Sequence, residues 1–154
     1  MRRLFIALCA TQILLLGATT MSAQDSSYDE NALRVESRLG DLQIVRGISG
    51  TVVARAGLFR GPKVTNLVSS SEPALAEAKV FERDYNPGQY MAAAGIALLG
   101  AAIGAARIPD VNNGITSGLI GSSVLLIGVG GSKLESAYRA LSKAIWWYNR
   151  DLKR

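Results

Sequence analysis

Two charge-free apolar segments, each punctuated by glycine and only seven residues apart, constrain this chain more than any other feature. The first covers residues 90–106 (YMAAAGIALLGAAIGAA) and the second residues 114–131 (GITSGLIGSSVLLIGVGG). The connector between them, residues 107–113, carries Pro109, two asparagines and the charges Arg107 and Asp110. Two apolar runs around a turn-rich connector predict a helical hairpin. A helix that is apolar on every side needs a large core or lipid to cover it. A chain of 154 residues has too little other sequence to do so. The expected fold is therefore a mainly α membrane protein with a two-helix transmembrane hairpin. As helix, the first segment rises about 25 Å, a little short of the roughly 30 Å hydrocarbon core of a bilayer. The alternative is a soluble hairpin buried in a helical domain.

The glycines sharpen this expectation. Gly100 and Gly104 form a GxxxG pair with Gly95 five residues earlier, and Gly114 and Gly118 form another, extended by Gly121. In water a glycine inside a helix costs about 1 kcal/mol relative to alanine. In lipid, small residues four apart let helices approach closely and gain dispersion packing. Gly95, Gly100, Gly104, Gly114, Gly118 and Gly121 are thus the candidate helix-packing residues, within the hairpin or between copies of it.

The rest of the chain divides around the hairpin. Residues 1–23 read as a secretory signal peptide: Arg2 and Arg3, an apolar stretch over residues 4–17, then mostly small residues up to Ala23. Residues 24–32 read as a mobile acidic arm. Residues 33–87 read as a small exposed β/α region. Its first part has β-branched residues in short runs broken at Gly40-Asp41, Gly47 and Ser49-Gly50, a pattern of two or three strands in hairpins. Ser71, followed by Glu72 and Pro73, marks a helix start. That helix continues through Leu75, Ala78, Phe81 and Tyr85 and is expected to stop at Asn86-Pro87-Gly88. The hairpin then occupies residues 88–131. A glycine stop at Gly131 and a capping box from Ser132 to Glu135 begin a last helix over residues 132–154.

This last helix is amphipathic, with Leu134, Tyr138, Leu141, Ile145, Tyr148 and Leu152 alternately three and four apart. Residues 133–154 carry six basic and two acidic side chains. Cations and aromatics on one helix suit a membrane surface, which makes Tyr138, Trp146, Trp147 and Tyr148 candidate interface residues. Packing against residues 72–86 or the strands serves them equally well. A basic segment on the exported side opposes the positive-inside tendency, but the signal architecture still points to export.

Several chemistries are closed. The chain has no histidine, and its one cysteine, Cys9, lies within the signal segment. No thiol nucleophile, imidazole base, N/S metal site or disulfide is expected in the mature chain. Residues 127–133 (IGVGGSK) fail the phosphate-loop pattern because Ser132, not glycine, precedes Lys133. No enzyme activity, cofactor, metal or nucleic acid is expected.

The order of signal segment, small β-rich region, Ser-Glu-Pro-Ala helix, paired Gly/Ala-rich helices and a last helix with Ala144 before Tyr148-Asn149 resembles small exported bacterial membrane proteins of unassigned function. Their terminal helix carries an Ala-x-x-x-Tyr-Asn pattern. The resemblance implies location in the bacterial cell envelope and supplies no activity. The leading expectation is a non-enzymatic envelope membrane protein, anchored in the lipid bilayer by its hairpin and presenting residues 33–87 to a protein partner. The alternatives are a glycine-faced homo-oligomeric pore or membrane-perturbing protein, and a soluble secreted binding module.

Overall fold

The computed structural model describes residues 28–38, 41–57, 59–108 and 113–153, so the signal reading for residues 1–23 lies outside the described residues. Three strands come first, β1 (Leu33–Arg38), β2 (Asp41–Arg46) and β3 (Thr51–Ala56). They form an antiparallel sheet in the order β1-β2-β3, with Val35 opposite Ile44 and Ile44 opposite Ala54. The register shifts by one residue at Ile44/Val45. The β2–β3 turn needs Gly47 at φ +67, and a methyl group there would sit 2.6 Å from the Glu30 carbonyl oxygen. The close approach arises because residues 28–31 form a helical turn pinned to this loop. Gly47 N–H donates to Ala32 O and Ile48 N–H to Asp29 O, both at 2.9 Å. Residues 28–32 are therefore docked, where the sequence predicts part of a mobile arm.

Two long helices follow, α1 (Glu72–Ala105) and α2 (Asn113–Asp151). Ser71 caps α1 as expected, with extended backbone and its Oγ accepting from Ala74 N–H. The Ser71 hydroxyl also donates to Asp151 Oδ2 at 2.6 Å, tying the start of α1 to the end of α2. Asn149 bonds both the N–H and the carbonyl of Leu33, at 2.8 and 2.7 Å, and so joins α2 to β1. The head core gathers Leu33, Ile44 and Ala56 from the sheet, Val64 and Val68 from the connecting turns, and Phe81, Tyr85, Leu141, Ile145 and Tyr148 from the helices.

Two expected breaks are absent. Helix α1 runs through Asn86-Pro87-Gly88, and α2 runs through Gly131-Ser132 with no capping box. A proline inside a helix removes one backbone bond and costs about 3 kcal/mol. Tertiary contacts around Pro87 outweigh that cost. Asn86 and Gln89 side chains hold the loop after β3, and Gly88 lies against α2. The hairpin therefore extends from residue 72 to residue 151, well beyond the segment 88–131 expected from hydropathy.

What holds the helices together is a seven-residue repeat of mostly small residues. Ala74, Phe81, Gly88, Gly95 and Ala102 are buried along α1; Ser123, Gly130, Ala137 and Ala144 are buried along α2. Such a repeat keeps one face of each helix turned to its neighbour over a long distance. The approach is tight. A methyl group on Gly130 would lie 2.6 Å from Ala92 N and 2.8 Å from Gly88 O. One on Gly95 would lie 2.7 Å from Ile127 Cγ1 and 2.9 Å from Ser123 O. Nothing lies within 4 Å of such a methyl group on Gly100. Gly130→Ala should therefore lower stability in detergent by about 1–3 kcal/mol through overpacking. Gly100→Ala should be neutral or stabilising by up to about 1 kcal/mol through helix propensity. Denaturant titration of both variants checks the contrast.

Candidate functional site

Among the described residues, no element outside the hairpin covers its distal half. Among the described residues of 91–131, the buried ones are the seam positions Gly95, Ala102, Ser123 and Gly130, while Ile96, Ile103, Ile115, Ile120, Val124, Leu125 and Val129 are exposed. Leu125 is 70% exposed and Val124 62%. A surface this apolar and contiguous marks a site of interaction with lipid or protein. Ser123, the buried polar residue in this half, donates its hydroxyl to Ile120 O at 2.7 Å, so it brings no unmet polar group.

Continuous helices lengthen the apolar unit. Between Asp84 and Arg107 on α1, and between Asp110 and Lys133 on the other side, no charged residue occurs. Residues 85–106 rise about 33 Å as helix and residues 113–132 about 30 Å. Both charge-free lengths are close to the roughly 30 Å of a hydrocarbon core, but residues 85–89 belong to the head, where Tyr85 is in the core and Asn86 and Gln89 bond the loop after β3. The apolar run that leaves the head, residues 90–106, keeps its rise of about 25 Å, which suits a thinner bilayer.

A polar cluster closes the proximal end. The Asp84 side chain is only 6% exposed. It accepts from Arg83 Nε and Nη2, both at 3.0 Å, from Lys133 Nζ at 3.3 Å and from Ser136 Oγ at 3.2 Å. The bidentate Arg83 guanidinium is the main cause that holds the Asp84 carboxyl down at about 2. Burial opposes it and Lys133 adds to it. Further into the head, Glu77 pairs with Lys143 at 3.8 Å and Glu135 with Arg139, lining a shallow groove between the helices. The carboxylates there are committed to ion pairs. Among the described residues no group of three or more potential metal ligands occurs.

The structure separates the residues predicted from sequence. Gly95 sits in the seam. Gly100, Gly104, Gly118 and Gly121 face open space, so the GxxxG pairs are not what joins α1 to α2. Gly114 is exposed in the first turn of α2. Tyr138 is half-exposed and packs edge-on against Tyr85, with ring centroids 6.1 Å apart. Tyr148 is buried in the head core. Trp147 packs against that core, and Trp146 is exposed beside it, the two rings 4.8 Å apart. Arg150 lies over the Trp147 ring at 3.9 Å. Trp146 is fifteen residues beyond Gly131, about 22 Å along one straight helix. The tryptophans thus occupy the end of the hairpin opposite its apolar half.

Sequence reasoning missed the residues at the boundary itself. Phe59, in the loop after β3, stacks on Tyr90 with centroids 5.1 Å apart and planes 13° apart. Seam residues Gly88, Ala92 and Gly130 were also missed. A search for seven-residue spacing of small residues across both helices finds the seam; no local pattern finds the Phe59–Tyr90 contact.

Comparison with protein-family models, with curated proteins and with solved structures found no match.

Asp84 contributes to stability as a carboxylate with a lowered pKa. That contribution is complete above its ordinary value near 4 and is lost as pH falls toward about 2. Asp84→Asn should destabilise the protein at neutral pH, where Lys133 and Arg83 lose their buried acceptor. The difference from wild type should shrink as pH falls from about 4 to about 2. Thermal unfolding across that range measures it.

Proposed function

We propose that the protein is a membrane-anchored, non-enzymatic component of the bacterial cell envelope. The distal half of the hairpin lies in a lipid bilayer, and the sheet and proximal helices form a head that meets a protein partner outside it. The observation that supports this most is the distal hairpin: two helices in mutual contact only through a narrow small-residue seam, with their remaining apolar surface uncovered. In water that surface would drive association; in lipid it needs no further protein. Export rests on the residue pattern at 1–23. Both ends of the hairpin emerge on one side, and the head carries the basic residues of the C-terminal segment.

A second reading concerns copies of the chain. Because Gly100, Gly104, Gly118 and Gly121 face away from the seam, they are free to pack hairpins against one another in the bilayer. An assembly of this kind is the route to a pore. Unchanged association of Gly100→Leu/Gly104→Leu in detergent would remove this reading.

The principal reading is tested by fractionating cells that express the full chain. Alkaline carbonate should leave the protein in the membrane pellet; recovery in the soluble fraction contradicts the anchor.

A further inference from the structure

We infer that Phe59 and Tyr90 form an aromatic foot that sits in the interfacial zone of the bilayer and sets the depth of the hairpin. The inference rests on the membrane reading above and adds to it the level at which head meets lipid. Tyr90 is the first residue of the apolar segment and is 56% exposed; Phe59 comes from the head and is 39% exposed. Their stacked rings bring the loop after β3 onto the first turn of the segment.

The loop is built to hold this position. Phe59 has φ +64, a conformation unfavourable for a residue with a bulky side chain. Its N–H donates to Gln89 Oε1 at 2.6 Å, and its carbonyl accepts from the Tyr90 hydroxyl at 3.4 Å. Gly61 N–H donates to Asn86 Oδ1 at 2.8 Å, and a methyl on Gly61 would lie 2.9 Å from the Tyr85 ring. Three polar anchors on one turn of α1, at Asn86, Gln89 and Tyr90, therefore fasten a strained turn and leave its aromatic ring outside the core.

The surroundings fit one occupant. On the distal side are the bare apolar helices. On the head side are Arg60, which is exposed, Arg83, with its side chain 70% exposed, and Lys133, with its side chain 39% exposed. Aromatic rings between an apolar band and cationic side chains suit the boundary of headgroup and acyl chain, where tyrosine in particular is enriched. Trp146 and Trp147, by contrast, lie near the C-terminal end of α2, away from the exposed apolar residues of the distal half.

Tryptophan depth in vesicles tests the inference. In the full chain carrying Trp146→Phe and Trp147→Phe, single reporters are placed by Phe59→Trp, Tyr90→Trp and Ile96→Trp. The proteins are reconstituted in phosphatidylcholine–phosphatidylglycerol vesicles with bromine either near the headgroup end or near the methyl end of the acyl chain. Ile96→Trp should be quenched more by deep bromine. Phe59→Trp and Tyr90→Trp should be quenched roughly twofold more by shallow than by deep bromine, as expected for an interfacial ring. Tyr90→Trp reports the same level from the helix, so a poorly folding Phe59→Trp chain does not remove the test. Quenching at Ile96→Trp with none at Phe59→Trp and Tyr90→Trp overturns the foot and leaves the membrane anchor standing. Stronger quenching of both foot reporters by deep bromine also overturns it. No quenching at any reporter overturns the foot and the anchor together.

Discussion

The close antiparallel contact between α1 and α2 is what the rest of this structure depends on. Its seam is made of groups with little or no side chain, so the two backbones come within reach of each other at Gly88, Ala92, Gly95 and Gly130. Such contact gains many small dispersion terms and gives up little side-chain entropy. It also runs the full length of both helices. In the head the seam is backed by the sheet and by Val64 and Val68. In the distal half no other described residue backs it, and the same two helices continue with apolar outer faces exposed. One interaction thus carries the fold across what the proposed function treats as a change of solvent.

The change is concentrated within a few residues. Asp84 with Arg83, Lys133 and Ser136 ends the charged part of the hairpin. Within two turns, Gln89, Tyr90 and Phe59 provide the last polar and aromatic contacts before the exposed apolar run. Buried charge is tolerated where each partner is satisfied, and the Asp84 cluster meets that requirement. A charge placed farther out would stand without such partners. This division explains how a helix with modest overall amphipathicity can serve two environments: its composition changes along its length while its seam stays in phase.

Much of this was legible in the residues. The three strands fall between the glycine-containing breaks, Ser71 caps α1, and the two apolar runs do form the arms of a hairpin. What misled was punctuation. Pro87 and Gly131 are local signals for helix ends; the first is overridden by contacts from far along the chain at Asn86, Gly88 and Gln89, and the second lies on the exposed side of α2 next to the seam residue Gly130. Once those breaks are removed, Trp146 and Trp147 become part of a rigid continuation of α2 and can no longer be laid beside the hairpin. The glycine pattern misled similarly. Gly100 and Gly104 match a short motif, whereas the seam follows a seven-residue repeat that includes alanine and serine and crosses the expected domain boundaries. The Phe59–Tyr90 stack depends on a loop fold that no spacing in the chain encodes.

The central claim is that the distal hairpin lies in lipid with its small-residue seam turned inward. Nitroxide scanning of residues 93–104 in vesicles, in a Cys9→Ser background, addresses both parts at once. Oxygen accessibility should be high at Ile96 and Ile103, with a water-soluble nickel reagent excluded throughout, whereas a label at Gly95, where the seam has no room for a side chain, should lower the thermal stability of the hairpin. Free access of the nickel reagent to Ile96 and Ile103 would contradict the account.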